Sequence, residues 1–317
     1  MKKLLAVLLA LSILFAFAAC GSKSAGNEET EPAPWETTDE AESTSAEAES
    51  TEAVTDESTP AETSEAAETS ESASEESTSE EETTEAAKKP ETTVEILAAY
   101  TEVMNQAKKD APGFTKVEYQ ELPSDSASRQ VSKGGTVVNA ALKLADHFMT
   151  TEADAKADPE VQQKGNNMRS WPVCKTPKGC MLTDTSGIKS AKCEELSNGN
   201  YKITIVLKAE DNPEPAPDGG TSAPSKHGAV FSPLSRAEID ENLNGGFVSA
   251  VAKEISYNIT YHDCETVLVY NPKDNHVVSL DQTTHTTIKG QGKVAGMQMV
   301  VDKQELIDYM HIYNIKY

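Results

Sequence analysis

From residue 24 to residue 87 the chain carries no lysine and no arginine, although the same stretch holds 22 aspartates and glutamates. Among large apolar side chains it has only Trp35 and Val54. A segment so poor in apolar surface cannot offset the entropy of ordering, and unpaired like charge extends it further. Residues 20–90 are therefore expected to be a disordered acidic spacer rich in Ser, Thr, Glu and Ala, with an r.m.s. span of roughly 45 Å. Long apolar runs are equally scarce. The longest, Leu4 to Ala19, is broken only by Ser12, and it falls short of the ~20 residues that a bilayer-spanning helix needs. Basic residues are too few for a nucleic-acid footprint anywhere: the net charge is −24, and residues 91–317 hold 30 acidic and 23 basic side chains. Chemistry-bearing motifs are missing as well. There is no Gly-x-Ser-x-Gly, P-loop, His-Glu-x-x-His, dinucleotide fingerprint or Cys-x-x-Cys, so no catalytic residue, no metal site and no cofactor is expected.

What the chain does have begins at residue 1. Met1-Lys2-Lys3 is a charged start, Leu4–Ala19 is an apolar core of signal-peptide length, and Phe17-Ala18-Ala19-Cys20-Gly21-Ser22 follows. Residues 1–22 resemble the lipobox leader of bacterial lipoproteins, with Phe17 where that family usually has Leu. The resemblance implies a signal peptide over 1–19, removed before Cys20, and a diacylglyceryl group (with palmitate as a typical acyl chain) on the Cys20 thiol. It also implies a partner, the cell membrane, with the rest of the chain on its extracellular face. Such an arrangement suits a Gram-positive-type envelope.

Lys88-Lys89-Pro90 closes the spacer, and residues 91–317 read as one extracellular α+β domain, large enough for a sizeable core. Thr92 to Glu95 has capping-box spacing, and Ile96, Leu97, Tyr100, Val103, Met104 and Ala107 recur at helical period. A helix over 93–109 follows, with Lys108-Lys109 at its C-terminus and Pro112-Gly113 stopping it. Val137, Ala141, Leu144 and Phe148 predict a second helix over 136–149. From Ile188 the period changes to two. Ile188–Glu195 and Tyr201–Lys208 flank Ser197-Asn198-Gly199-Asn200 as a hairpin. Glu210–Ser232 is a long loop rich in Pro, Gly, Ser and Asp, of the kind that is functional or disordered. After a short helix from Ser235 to Leu243, six strands are expected as a meander: 255–261, 266–270, 276–282, 284–289, 293–301 and 306–316. The fold class is thus α+β, with N-terminal helices packed on an antiparallel sheet, flat or curved, that ends in the meander.

Asn198-Gly199-Asn200-Tyr201-Lys202-Ile203-Thr204-Ile205, Phe231-Ser232-Pro233-Leu234 and Asn271-Pro272-Lys273 resemble segments of uncharacterised surface lipoproteins of Gram-positive bacteria. This resemblance covers residues 93–317 and implies surface location, with no activity to carry over.

Four cysteines follow Cys20: Cys174, Cys180, Cys193 and Cys264. In an oxidising compartment an even count suggests two disulfides. Lys175–Gly179 turns tightly enough to favour Cys174–Cys180, which leaves Cys193–Cys264, a bridge of about 4 kcal/mol in the chain-entropy model. A thiolate metal site is the rival reading. His262-Asp263-Cys264-Glu265 concentrates ligand types, but neighbouring strand residues point to opposite faces, and His276, His285 and His311 fall on separate expected strands. Ser186-Gly187-Ile188-Lys189 matches Ser-x-x-Lys, yet it lies in a turn entering a strand, where Lys is not one helical turn from Ser.

Three functions remain open on these grounds. The first is a non-catalytic domain binding an unknown extracellular ligand or protein, through the sheet face or the 210–232 loop, and carried on the spacer. The others are an extracellular hydrolase of wall or exogenous polymer and a structural envelope protein. Because two acyl chains anchor stably and none does, Cys20→Ala is expected to move the protein out of the membrane fraction or leave it uncleaved. Fractionation with N-terminal sequencing checks this, and an anchored, processed variant overturns the lipoprotein reading.

Overall fold

The computed structural model describes residues 88–147, 149–245, 252–294 and 296–317. The leader, Cys20, nearly all of the acidic spacer and Phe148 lie outside the described residues. The sequence-based expectation of helices packed on a sheet as an α+β fold is corrected by the strand content. Of the described residues 42% are strand and 22% helix, and nine strands join one antiparallel sheet. The fold is mostly β.

Strands β1 (Gly113–Glu121), β2 (Arg129–Lys133), β3 (Glu160–Gln162), β4 (Ile188–Glu195), β5 (Tyr201–Leu207), β6 (Glu210–Asp211), β7 (Ala252–Asn271), β8 (His276–Val294) and β9 (Met297–Lys316) form the sheet. Its order is β3-β1-β9-β8-β7-β5-β4, with β2 also on β9 and β6 also on β7. The helices are α1 (Thr93–Asp110), α2 (Gly135–Asp146), α3 (Glu152–Ala157) and α4 (Arg236–Asn244).

The C-terminal half differs most from expectation. Where alternation predicts six strands, three of twenty, nineteen and twenty residues run through. The turn expected at Asn271–Asn275 is there, but the breaks after Tyr261 and Lys289 are β-bulges or lie beside one, which keeps the ladder and re-aims side chains. Thr283 stands in unbroken ladder, and the expected strand 293–301 contains the turn between β8 and β9. Between His262 and Glu265 the register slips, with Asp263 at φ 49°. A second slip separates Ile288 from Gly290. The strands β1 and β2 carry no expected element at all. They fill the edge of β9, β1 along Ile307–Lys316 and β2 along Val300–Gln304.

Other expectations hold. Helix α1 starts in a full capping box, in which Thr92 Oγ1 accepts from the Glu95 amide and the Glu95 carboxylate accepts from the Thr92 amide. The hairpin β4–β5 turns at Ser197–Asn200. β9 reaches Lys316, and the Tyr317 hydroxyl accepts a hydrogen bond from the Val277 amide. Cross-strand tyrosine pairs occur as Tyr119–Tyr309 and Tyr201–Tyr270. In α2 the buried stripe is Val138, Ala141, Leu142 and Ala145, one residue round the helix from the expected one.

One sheet face is inner. Tyr201, Ile203, Ile205 and Leu207 of β5, Leu268 of β7, Leu280 of β8 and Ile312 of β9 are buried on it. Across it lies α1, whose Tyr100 hydroxyl meets Thr266 Oγ1 at 3.0 Å. One helix cannot cover so wide a face, so α2, α4 and irregular chain from Met168 to Leu182 and from His227 to Leu234 add to the cover. Buried irregular backbone must find hydrogen-bond partners outside a ladder, and α1 provides them. Lys108, 7% exposed, directs its ammonium at the carbonyls of Met168, Val173 and Thr176, at 2.8, 3.2 and 3.1 Å. One turn earlier, Asn105 Oδ1 accepts from the Gly179 and Cys180 amides. The approach is close enough that a side chain at Gly179 would meet Met104 O at 2.4 Å, so only glycine fits.

Burial pushes the Lys108 ammonium down to about 8, a measure of how costly its position is without the three carbonyls. Lys108→Met, close in length, removes the donor that the three carbonyls share, leaving Met168 O with the Trp171 amide and Val173 O with the Thr176 hydroxyl. It is expected to destabilise the domain by about 1–3 kcal/mol, whereas Lys109→Met on the exposed side should be near neutral. Denaturant unfolding of both variants checks the contrast.

Candidate functional site

The covering segments do not close completely. Between them and the inner face lies a cleft of about 700 Å³. Its floor is sheet: Lys116 and Glu118 of β1, Asp308 and Met310 of β9, Gln282 and Thr284 of β8, and Tyr261 of β7. These residues share a face because Glu118 stands opposite Met310, and Met310 opposite Gln282, while Thr284 stands opposite Asp308. The walls are three loop segments, 169–175, 214–218 and 231–235, with Glu238 at the start of α4.

Polar groups on the floor are held in place. Lys116 bridges Glu118 at 3.3 Å and Glu160 at 2.9 Å. Burial by itself would lower its pKa, but the Glu118 and Glu160 carboxylates outweigh this and raise it. The Asp308 carboxylate accepts from Gln120 Nε2 at 2.5 Å and from Thr284 Oγ1 at 3.3 Å. Gln282 donates to Val230 O, and the Tyr261 hydroxyl accepts from the Leu234 amide. The floor thereby fixes the 230–234 wall. On the opposite wall Arg169 pairs with Asp218 at 2.8 Å, and the Cys174 amide donates to Ser232 Oγ at 3.0 Å.

The 214–218 wall, Glu-Pro-Ala-Pro-Asp, is anchored through the segment that follows it. Ser225 Oγ donates to Glu214 O at 2.7 Å. The Glu210 carboxylate then gathers the Lys226 and His227 amides and His227 Nδ1, the last at 2.8 Å. His227 is fully buried, with its ring 5.6 Å from that of Tyr261. With Nδ1–H donated to Glu210, Nε2 has no partner among the described residues.

The residues singled out from sequence are not gathered here, apart from Cys174, which lines the cleft. All four cysteines after Cys20 are free thiols. Cys193 stands opposite Ile203, and Ile203 opposite Leu268, four residues along β7 from Cys264. Two strand spacings and four rises separate them by about 16 Å, beyond a disulfide's Cα reach of about 7 Å. The expected Cys193–Cys264 staple is thus replaced by β5, which joins the two strands through its ladders. Cys180 Sγ lies 3.4 Å from Thr101 Oγ1. Burial pushes its thiol up, and that of Cys264 up to about 12, so neither is a ready thiolate.

The bulge corrects one expectation about His262-Asp263-Cys264-Glu265. By turning Asp263 back, it lets two adjacent residues bond, His262 Nδ1 to Asp263 Oδ2 at 3.1 Å. His262 Nε2 faces Thr287 Oγ1 at 3.0 Å and Glu305 Oε2 at 3.2 Å. A hydroxyl–imidazole–carboxylate chain results, but the Thr287 hydroxyl donates to Glu305, so its proton is already committed and the chain reads as a cross-strand network. His276 and His285 share β8 rather than occupying separate strands. His276 stacks on Tyr317, and His311 of β9 bonds Asp281. His285 stands opposite Ile307, four residues from His311, so the three do not converge. No group of three or more metal-ligating side chains occurs among the described residues. Ser186 bonds Asp184 while Lys189 bonds Asp263 at 2.7 Å; the Ser-x-x-Lys match makes no pair.

The cleft itself was reachable from sequence only in part. The 210–232 loop was marked by its composition, but Lys116, Glu118, Gln282 and Asp308 come from strands distant in sequence and carry no local signal. Lys108 had one, since it continues the Tyr100–Met104 row at i+4.

The wall anchor sets a pH dependence. Burial lowers the pKa of His227 below its ordinary 6.5, with Glu210 only partly opposing this. For Glu210, burial raises the value, but the His227 and Lys226 donors outweigh it and lower it below 4.5. In both cases the unfolded chain takes up the proton first, so stability falls as pH drops, through 6.5 for His227 and then through 4.5 for Glu210. His227→Asn is expected to flatten the first of these losses, as read by thermal unfolding between neutral pH and pH 5. No protein-family model, curated protein or solved structure matches this chain.

Proposed function

We propose that this protein is a lipid-anchored extracellular binding protein. Its acyl group sits on Cys20, its acidic segment is a spacer, and its β domain takes a ligand into the cleft. The observation that carries the reading is the cleft's construction. Its rigid floor is sheet, its walls are hydrogen-bonded to that floor, and both parts expected to bind, the sheet face and the 210–232 loop, meet in it. Concave sites of this size with apolar walls and a few fixed polar groups are the usual form of ligand sites. Pro172, Pro215, Pro217 and Pro233 stiffen the walls, which reduces the ordering cost of binding.

One observation favours a second reading, a hydrolase of envelope or exogenous polymer. Glu118 and Asp308 lie diagonally across adjacent strands on the floor, the kind of placement that two-carboxylate hydrolysis uses. Against it, Glu118 is paired with Lys116, and Asp308 is engaged by Gln120 and Thr284.

Incubating the full chain with purified cell-wall polymer separates the two. No release of soluble fragments, by the unaltered chain or by Ala216→Trp, which fills the cleft, is the expected result. Fragment release that is lost in Glu118→Gln/Asp308→Asn would replace the binding reading with the hydrolase. Binding undisturbed by Ala216→Trp would place recognition elsewhere.

A further inference from the structure

We infer that the ligand of the cleft is a cationic peptide, held by carboxylates through arginine or lysine side chains and packed against the proline-rich wall. The inference rests on the binding reading above and specifies its chemistry.

Five carboxylates line the cleft, from Glu118, Glu214, Asp218, Glu238 and Asp308, against three cations, Lys116, Arg169 and Lys175. Two of those cations are already spent on protein carboxylates, Lys116 on Glu118 and Glu160, and Arg169 on Asp218. The side chains of Glu214 and Glu238, by contrast, contribute no hydrogen bond or ion pair among the described residues. They stand on different segments, so an incoming guanidinium or ammonium group can be held from two sides. An anionic ligand would have only Lys175 to meet.

The walls favour a peptide over a small ion. Pro215 and Pro217 have no N–H to donate, so this wall offers acceptors, and a donor-rich ligand complements it. Phe231, Leu234, Tyr261 and Met310 provide apolar area beside the charges, which suits an extended chain with alternating apolar and basic side chains. The whole protein carries −24. A field of that sign raises the local concentration of cations and speeds their encounter.

Fluorescence makes the test specific. The chain has two tryptophans, Trp35 in the acidic segment and Trp171 between the cleft-lining Ser170 and Pro172. In full-length Trp35→Phe protein, Trp171 is the sole tryptophan, so peptide held only by the acidic segment gives no signal. The probes are acetyl-Arg-Pro-Arg-amide, its Gln-Pro-Gln and its Glu-Pro-Glu counterparts. The expected result is a saturable change with the arginine peptide alone, weakened about tenfold by Glu214→Gln/Glu238→Gln and abolished by Ala216→Leu, which narrows the cleft without adding a second tryptophan. If the glutamine or glutamate peptide binds as well and Ala216→Leu abolishes it, the cationic inference is overturned while the binding cleft stands. Silence of Trp171 with all three peptides overturns the inference, and an arginine response unaffected by the Gln variants does so too.

Discussion

Irregular backbone buried against a sheet is the constraint around which the domain is built. The inner face is wider than α1, and beside α2 and α4 the chain covers much of the remainder with segments that have no ladder of their own. Each buried amide and carbonyl in them must be satisfied by something else. The solution is consistent across the cover. Lys108 and Asn105 of α1 hold the 168–180 stretch. Gln282 and Tyr261 of the sheet hold 230–234, and Glu210 holds 226–227. Side chains therefore do for the cover what strand pairing does for the floor. A cleft is the natural by-product, because loops tied down at a few points leave space between the ties.

The same economy shapes the long ribbon β7–β8–β9. Strands of about twenty residues do not stay straight under their own twist, and bulges let them bend, shifting the register while the ladder continues. At the Asp263 bulge the bend also pulls His262 into contact with Thr287 and Glu305, so three strands are cross-bonded at the point where the ladder is weakest. A polar network at such a place is stabilising only while every member is satisfied.

Local periodicity made much of this legible. The capping box and apolar stripe of α1, the alternation of β5 and the turn residues at Ser197–Asn200 each depend on contacts between near neighbours. What failed did so for a physical reason. A bulge and a turn leave the same mark in sequence, a short polar break in an alternating pattern, so β7 reads as two pieces at its Asp263 bulge, while the apolar turn between Val294 and Met297 leaves no mark and 293–301 reads as one strand. Nothing in Gly113–Glu121 distinguished β1, since its alternation mixes Lys116, Glu118 and Gln120 into the buried face. Lys116 and Glu118 face inward onto the cleft and Gln120 bonds Asp308 beside it, and a rule that seeks apolar faces misses strands that floor a cleft. The cleft's remaining residues converge only through the register of β1, β9 and β8.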